Sequence, residues 1–259
     1  IIKPILQKNN QYSINGHLPL INTVNASTGT YLAICEGDDF WVNENKLQKQ
    51  ILALEKRPDI KLCFTTGLGL TEEGITRNIA DYGRKEVIFS TSQVIRGGGG
   101  FIPTASLFFH RDVILNIPDW FHDAPVGDYY IQVLGSMDNG AIYLPLNSCC
   151  YRIQSQGSWS SKRKSLKENN INENLVLNLY CMKKALSGSL HKNDLKAANS
   201  LLYYVAAYEL TLNGFYKQAK NNIVLSWKQK ANIHPLQVVL YKTRFLLPIT
   251  RFLLNLYKL

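Results

Sequence analysis

A compact apolar run, Thr30-Tyr-Leu-Ala-Ile-Cys35, breaks off on Glu36-Gly37-Asp38-Asp39 and leads into a helical pattern. Asn43 can cap that helix, Leu47, Ile51 and Leu54 recur at i, i+4 and i+7, and Pro58 stops it. Ile60 to Thr65 then reads as a strand, as do Ala105 to Phe109, Ala141 to Leu144 and Cys149 to Ile153. Strands separated by helices of this size imply an α/β layer with a largely parallel sheet. Ligands of such sheets sit beyond the carboxyl ends of the strands, where the acids after Cys35 stand.

From about Lys164 the chain reads as helical to its end. Residues 195–230 form a helical hairpin turning at Asn213-Gly214, like a single tetratricopeptide pair without a repeating period. Charge changes with architecture. Residues 1–155 carry 13 Lys and Arg against 15 Asp and Glu, a net of −2, and residues 156–259 carry 16 against 4, a net of +12. The polar, then basic stretch QSQGSWSSKRK at 154–164 marks the change, so an α/β portion is placed at 1–157 and a basic helical region at 158–259.

Such a split points to an acidic or membrane partner for the basic part. From Leu236 to Leu259 the residues are mostly apolar, with Arg244, Arg251 and Lys258 spaced by seven and Pro248 interrupting, which suits a helix lying in a membrane interface. No nucleic acid is expected, because the basic residues are dispersed among apolar ones and no nucleic-acid module is visible. With 46% hydrophobic residues in 259, the chain is long enough for one large domain or a domain with an appendage, and a disordered chain is excluded. Five cysteines without a C-x-x-C pair exclude a disulfide framework or a zinc site and point to a reducing, cytoplasmic compartment.

Glu36-Gly37-Asp38-Asp39 carries the strongest chemical signal. Crowded carboxylates repel one another, and hard divalent cations such as Mn or Mg relieve that repulsion by bridging carboxylate and phosphate oxygens. The plain alternative is a solvated acidic loop; the preceding strand and the adjacent Phe40 and Trp41 argue against it.

Gly29 to Trp41 (GTYLAICEGDDFW), followed by Lys46-Leu47-Gln48-Lys49-Gln50, resembles the D-x-D region of family 2 glycosyltransferases, inverting GT-A enzymes that use nucleotide sugars. Pro103 to Arg111 (PTASLFFHR) resembles the strand before the acceptor side of that family. Pro118-Asp-Trp-Phe121 with Gly127-Asp128-Tyr129 is similar to its base-bearing segment, and Tyr151-Arg152-Ile153 with Gly157-Ser158-Trp159-Ser160 to its closing motif. The resemblance covers about residues 15–161 and implies an α/β, Rossmann-like GT-A sheet with flanking helices.

The same resemblance implies roles. Asp38 and Asp39 would hold the metal, Glu36 would lie nearer the nucleoside, Arg152 and Trp159 would contact the donor, and Asp128 would be the general base. The implied reaction moves a sugar from a nucleotide-sugar donor to a hydroxyl of a glycan or lipid-linked acceptor with inversion, in cell-surface polysaccharide synthesis at the inner face of the membrane. Read from the residues alone, Asp128 could instead be a helix N-cap, Asp123 is the fallback base, Arg152 could be an ion-pair partner and Trp159 a core plug. His110 and His122 read as ordinary structural residues, and the run Gly97 to Gly100 as a flexible acceptor-side loop.

Three departures stand out. Gln154 occupies the place of a metal-completing His, Gly127 that of an acid often preceding the base, and the opening βαβ unit that holds the nucleobase has no counterpart. An incomplete GT-A sheet is therefore expected, with an open edge, weak donor binding and poor turnover. The alternative is a truncated, catalytically inactive binding or partner protein.

Overall fold

The computed structural model describes residues 2–115, 117–153 and 165–256. Two helices, α1 (Gln11–Ile14) and α2 (Leu18–Ala26), come first. Strands β1 (Tyr31–Ala33) and β2 (Phe40–Trp41) flank the acidic tetrapeptide, and α3 (Lys46–Glu55) follows. Next come β3 (Leu62–Thr71), β4 (Gly74–Ile79), β5 (Val87–Phe89), α4 (Thr91–Gly97), β6 (Phe108–His110), α5 (Asp112–Leu115), α6 (Gly127–Ser136) and β7 (Ala141–Arg152). The remaining described elements are helices: α7 (Glu168–Leu186), α8 (Leu195–Leu212), α9 (Tyr216–Gln229), α10 (Pro235–Lys242) and α11 (Leu247–Leu256). None of the described helices is long and apolar enough to cross a membrane.

The architecture is α/β with a helical C-terminal region, but the sheet is mixed, not largely parallel. Its order is β1-β6-β3-β7-β2, with β4 also on β3 and β5 also on β7. Among the described residues only β3 and β7 run parallel; every other pair is antiparallel. The sequence expectation overlooked β4, which returns on β3 after the two residues between Thr71 and Gly74, and so short a turn can only join antiparallel strands. It read β7 as two strands; β7 is one strand from Ala141 to Arg152, though its register on β3 does shift between Leu144 and Cys149.

The sheet's core centres on Phe64, whose ring lies 5.5–6.1 Å from those of Tyr82, Phe89, Phe101 and Tyr143. Helices α7 and α8 contribute Cys181, Met182, Leu186 and Ala198 to the same core. A second core, including Tyr204, Leu210, Ile223 and Leu240, lies among the C-terminal helices. Polar contacts join the two parts: buried Asp194 accepts hydrogen bonds from the Ser92 hydroxyl and from Arg96 Nη2 at 2.6 Å and Nε at 3.1 Å.

Three local expectations need correction. Helix α3 buries Leu54 and packs Ile51 on the core as its pattern predicts, but it also buries Lys46, Gln50 and Ala53 while Leu47 faces solvent; Asn43 accepts the Asn45 amide in a turn before the helix. The first half of the glycine run is packed: Gly97 ends α4, and a Cβ there would sit 2.2 Å from Phe101 Cδ2, whereas Gly99 and Gly100 open an exposed 3-10 turn. The C-terminal apolar segment is two helices, with Pro248 in the first turn of α11, where its missing N–H costs nothing. Arg244 therefore lies between helices, off the supposed continuous basic stripe, and Lys258 lies outside the described residues.

Candidate functional site

One turn of 3-10 helix, Thr104–Ser106, organises the carboxylates. The Thr104 hydroxyl donates to Asp128 Oδ2 at 2.8 Å, at the start of α6. Trp41 Nε1, just beyond the acidic tetrapeptide, donates to the Ala105 carbonyl at 3.0 Å. Gln50 Nε2 donates to the Ser106 carbonyl at 2.9 Å. The acidic loop, α3 and the first turn of α6 are thus tied to three consecutive residues, which carries the Asp128 carboxylate into electrostatic range of Glu36.

The buried face of α3 completes this support. Lys46 is almost wholly buried, donates to Gln50 Oε1 at 2.9 Å and places its ammonium 4.5 Å from the centre of the Trp41 ring. Burial lowers its pKa to about 8, opposed by the neighbouring thiols of Cys149, Cys63 and Cys35. This explains the inward-facing polar stripe: Lys46 and Gln50 find partners inside that leucine at 47 cannot use.

Negative charge gathers at the tetrapeptide. Glu36 keeps more than a third of its surface open, yet surrounding protein, then the charges of Asp128, Asp39 and Asp38, raise its pKa to about 7. Asp39 is buried; desolvation lifts it to about 6, although its Oδ1 accepts the Arg152 amide at 3.0 Å. Its Oδ2 is buried without a hydrogen-bond partner among the described residues. An orphaned carboxylate oxygen at this depth is costly.

Asp128 occupies the second position of α6 after the Val126 cap, so it is not the N-cap. Its Oδ1 accepts the Tyr129 amide at 2.7 Å. The dipole at the start of α6 favours its charged form, but burial outweighs it and raises its pKa despite the Thr104 hydroxyl, the Tyr129 amide and nearby His17. His17 went unnoticed in the sequence, having no motif. It is buried, its Nε2 lies 2.6 Å from the Ala124 carbonyl, and its ring sits 5.0 Å from that of Phe121.

His17 also gives a physical reason for Gly127, because a Cβ there would lie 2.9 Å from His17 Nδ1. Gly127→Ala should lower Tm by about 2–4 °C, the overpacking cost exceeding the gain in helix propensity. In an His17→Ala background the same change should cost nothing. Scanning fluorimetry of the four proteins checks this, and equal losses in both backgrounds would acquit the imidazole.

Of the other candidates, Arg152 sets its guanidinium 5.2 Å from the centre of the Phe40 ring, beside the acidic loop. Trp159 and Gln154 lie outside the described residues. Asp123 is exposed, near Cys181 rather than the tetrapeptide. His110 packs edge-on to Tyr31 and its Nδ1 lies 3.2 Å from Asp112. Two recesses open elsewhere, one of about 370 Å³ beside Lys8, Tyr12 and Asn22, the other of about 250 Å³ beside Thr66, Asp81 and Arg84. The carboxylates line neither; the tetrapeptide crosses from β1 at one end of the strand order to β2 at the other, where Asp39 meets the Arg152 amide of β7.

No family model matches the chain. An uncharacterized protein of Mycobacterium bovis and uncharacterized proteins of two strains of Mycobacterium tuberculosis are each 28% identical to it over 167 residues, 62% of this chain and 44% of theirs. The chain thus spans less than half the length of these curated relatives.

Proposed function

We propose that this chain carries the carboxylate machinery of an inverting, GT-A-type glycosyltransferase that moves a sugar from a nucleoside diphosphate to a hydroxyl of a glycan or lipid-linked acceptor. The observation that carries this reading is the electrostatic coupling of Glu36 to Asp128 on one side and to Asp38 and Asp39 on the other, with Asp128 and the acidic loop tied to one supporting turn. Asp128 accepts the acceptor hydroxyl's proton while that oxygen attacks the anomeric carbon from the face opposite the leaving diphosphate. Its raised pKa makes the ionised carboxylate a stronger base. Arg152, beside Phe40, would meet diphosphate charge; the donor role of Trp159 rests on the resemblance alone.

Mg or Mn fits the oxygen donors here, with Asp38 and Asp39 to hold it and the unpartnered Asp39 Oδ2 as an available ligand atom. Such an ion is commonly held by one or two carboxylates plus substrate phosphates. That is compatible with the finding that no group of three or more His, Cys, Asp or Glu is arranged for a metal among the described residues. When bound it supplies charge neutralisation for the leaving group.

The missing three-ligand group is also what favours a second reading, a non-catalytic protein that keeps the fold and binds a glycan or partner. Calorimetric titration with a panel of nucleotide sugars and Mn separates them. Metal-dependent heat is expected at pH 8, with affinity about fourfold weaker at pH 5.5, where Asp39 is mostly protonated, and none in Asp38→Asn. No metal-dependent heat with any donor at either pH would discard the transferase in favour of the second reading.

A further inference from the structure

The C-terminal helices carry a surface that the proposed chemistry does not use. Helix α11 packs on α8 and α9 through Leu247, Thr250 and Leu254. Its opposite face is apolar too: Ile249, Phe252, Leu253 and Leu256 are 46–63% exposed, and Phe245 and Leu246 just before the helix are 68% and 56% exposed. A helix that is apolar all round belongs in a buried setting, and a contiguous exposed apolar face marks an interaction site.

Charge decides what covers it. The Lys220 ammonium lies 4.2 Å and the Arg244 guanidinium 4.7 Å from the centre of the Phe245 ring, at the border of the apolar face. Residues 210–259 hold eight Lys and Arg and no Asp or Glu. A second copy of the chain would set this cationic border against itself, and a nucleic acid would pair with the cations but leave six large apolar side chains in water. Anionic headgroups above an acyl layer answer both features.

We infer that α11 and the segment before it dock this protein on an anionic lipid bilayer, with Phe252 and Leu253 entering the acyl boundary and Lys220 and Arg244 meeting headgroup phosphates. The inference is independent of the sugar-transfer reading. It differs from a helix lying flat by a continuous basic stripe: one apolar face of α11 holds the protein while the other enters the lipid, and the cations come from α9 and from the loop before α11.

Vesicle co-sedimentation of the whole chain tests it. Binding is expected to vesicles of phosphatidylcholine with roughly a third phosphatidylglycerol, to weaken as salt rises, and to be absent on phosphatidylcholine alone. Phe252→Ser with Leu253→Ser should abolish it, with circular dichroism unchanged because both side chains face solvent. Lys220→Gln with Arg244→Gln should weaken it by roughly thirtyfold, at about one decimal order for each 1.4 kcal/mol and about 1 kcal/mol per cation. Should the serine variant misfold, Phe252→Trp serves instead, its emission shifting to the blue on anionic vesicles only. Undiminished binding by a folded serine variant, no blue shift, a dimer in sedimentation velocity that the serine variant dissolves, or binding to DNA without binding to vesicles would each overturn the assignment.

Discussion

On the sugar-transfer proposal, Asp128→Asn should lower transfer by about 100- to 10,000-fold, the range expected when a general base is removed, and leave the fold intact. Asn is isosteric, and its oxygen can keep the Tyr129 amide at the start of α6 while the Thr104 hydroxyl rotates to suit the new group. The sign of the stability effect follows from the raised pKa of Asp128, which is due first to burial. A carboxyl raised on folding contributes stability below its ordinary range and loses it as pH rises through the folded value, so at pH 7 the neutral amide should melt no lower than the carboxylate. Wild-type rates should climb with pH as Asp128 ionises, and the Asn variant should lack that limb. A variant with full activity would move the base elsewhere, with Asp123 next to be changed.

Asp194→Ala should cost about 2–4 kcal/mol and lower Tm by about 5–10 °C, because it strips the partner from Arg96 and Ser92 where the C-terminal helices meet α4. Full loss of a buried pair would be worse; Arg96 keeps half its surface in water and recovers solvation there. Burial alone would raise the pKa of Asp194, but the Ser92 hydroxyl and the Arg96 guanidinium outweigh it and hold the carboxyl below its usual range. Its contribution is therefore present above the ordinary carboxylate range and fades as acid protonates it, so the penalty of the Ala variant should shrink towards pH 3. Thermal melts at pH 7 and pH 3 measure this. A loss under about 1 kcal/mol at pH 7 would assign the seating of the helices to Cys181, Met182 and Leu186 alone.

How legible was the site? The tetrapeptide after a strand, Asp128 in a helical first turn and the hairpin at Asn213-Gly214 all stood out, since each is a local pattern in contiguous residues. The partners that bring them together did not. Thr104, Trp41 and Gln50 act across separations of 24, 64 and 56 residues, and no periodicity encodes a hydrogen bond over such a span. Of the apolar stripe of α3, Ile51 and Leu54 do pack inside but Leu47 does not, because Lys46 and Gln50 are drawn in by an aromatic face and waiting carbonyls, which periodicity does not score. The sheet was misjudged for a related reason: β4 and β5 are short, partly polar neighbours whose pairing is decided by the long strands they join.

Hydrophobic rhythm, turn residues and charge asymmetry, all properties of neighbouring residues, were enough to determine an α/β layer, a basic helical sequel and a cluster of acids after a strand. Only the tertiary structure decided that the acids, the Trp41 indole and Asp128 share the turn at Thr104–Ser106, that His17 presses on Gly127, and that α11 is apolar on both faces. Each of those depends on which distant groups fill the same few ångströms, and burial there sets both the pKa of a carboxylate and the cost of an exposed phenylalanine.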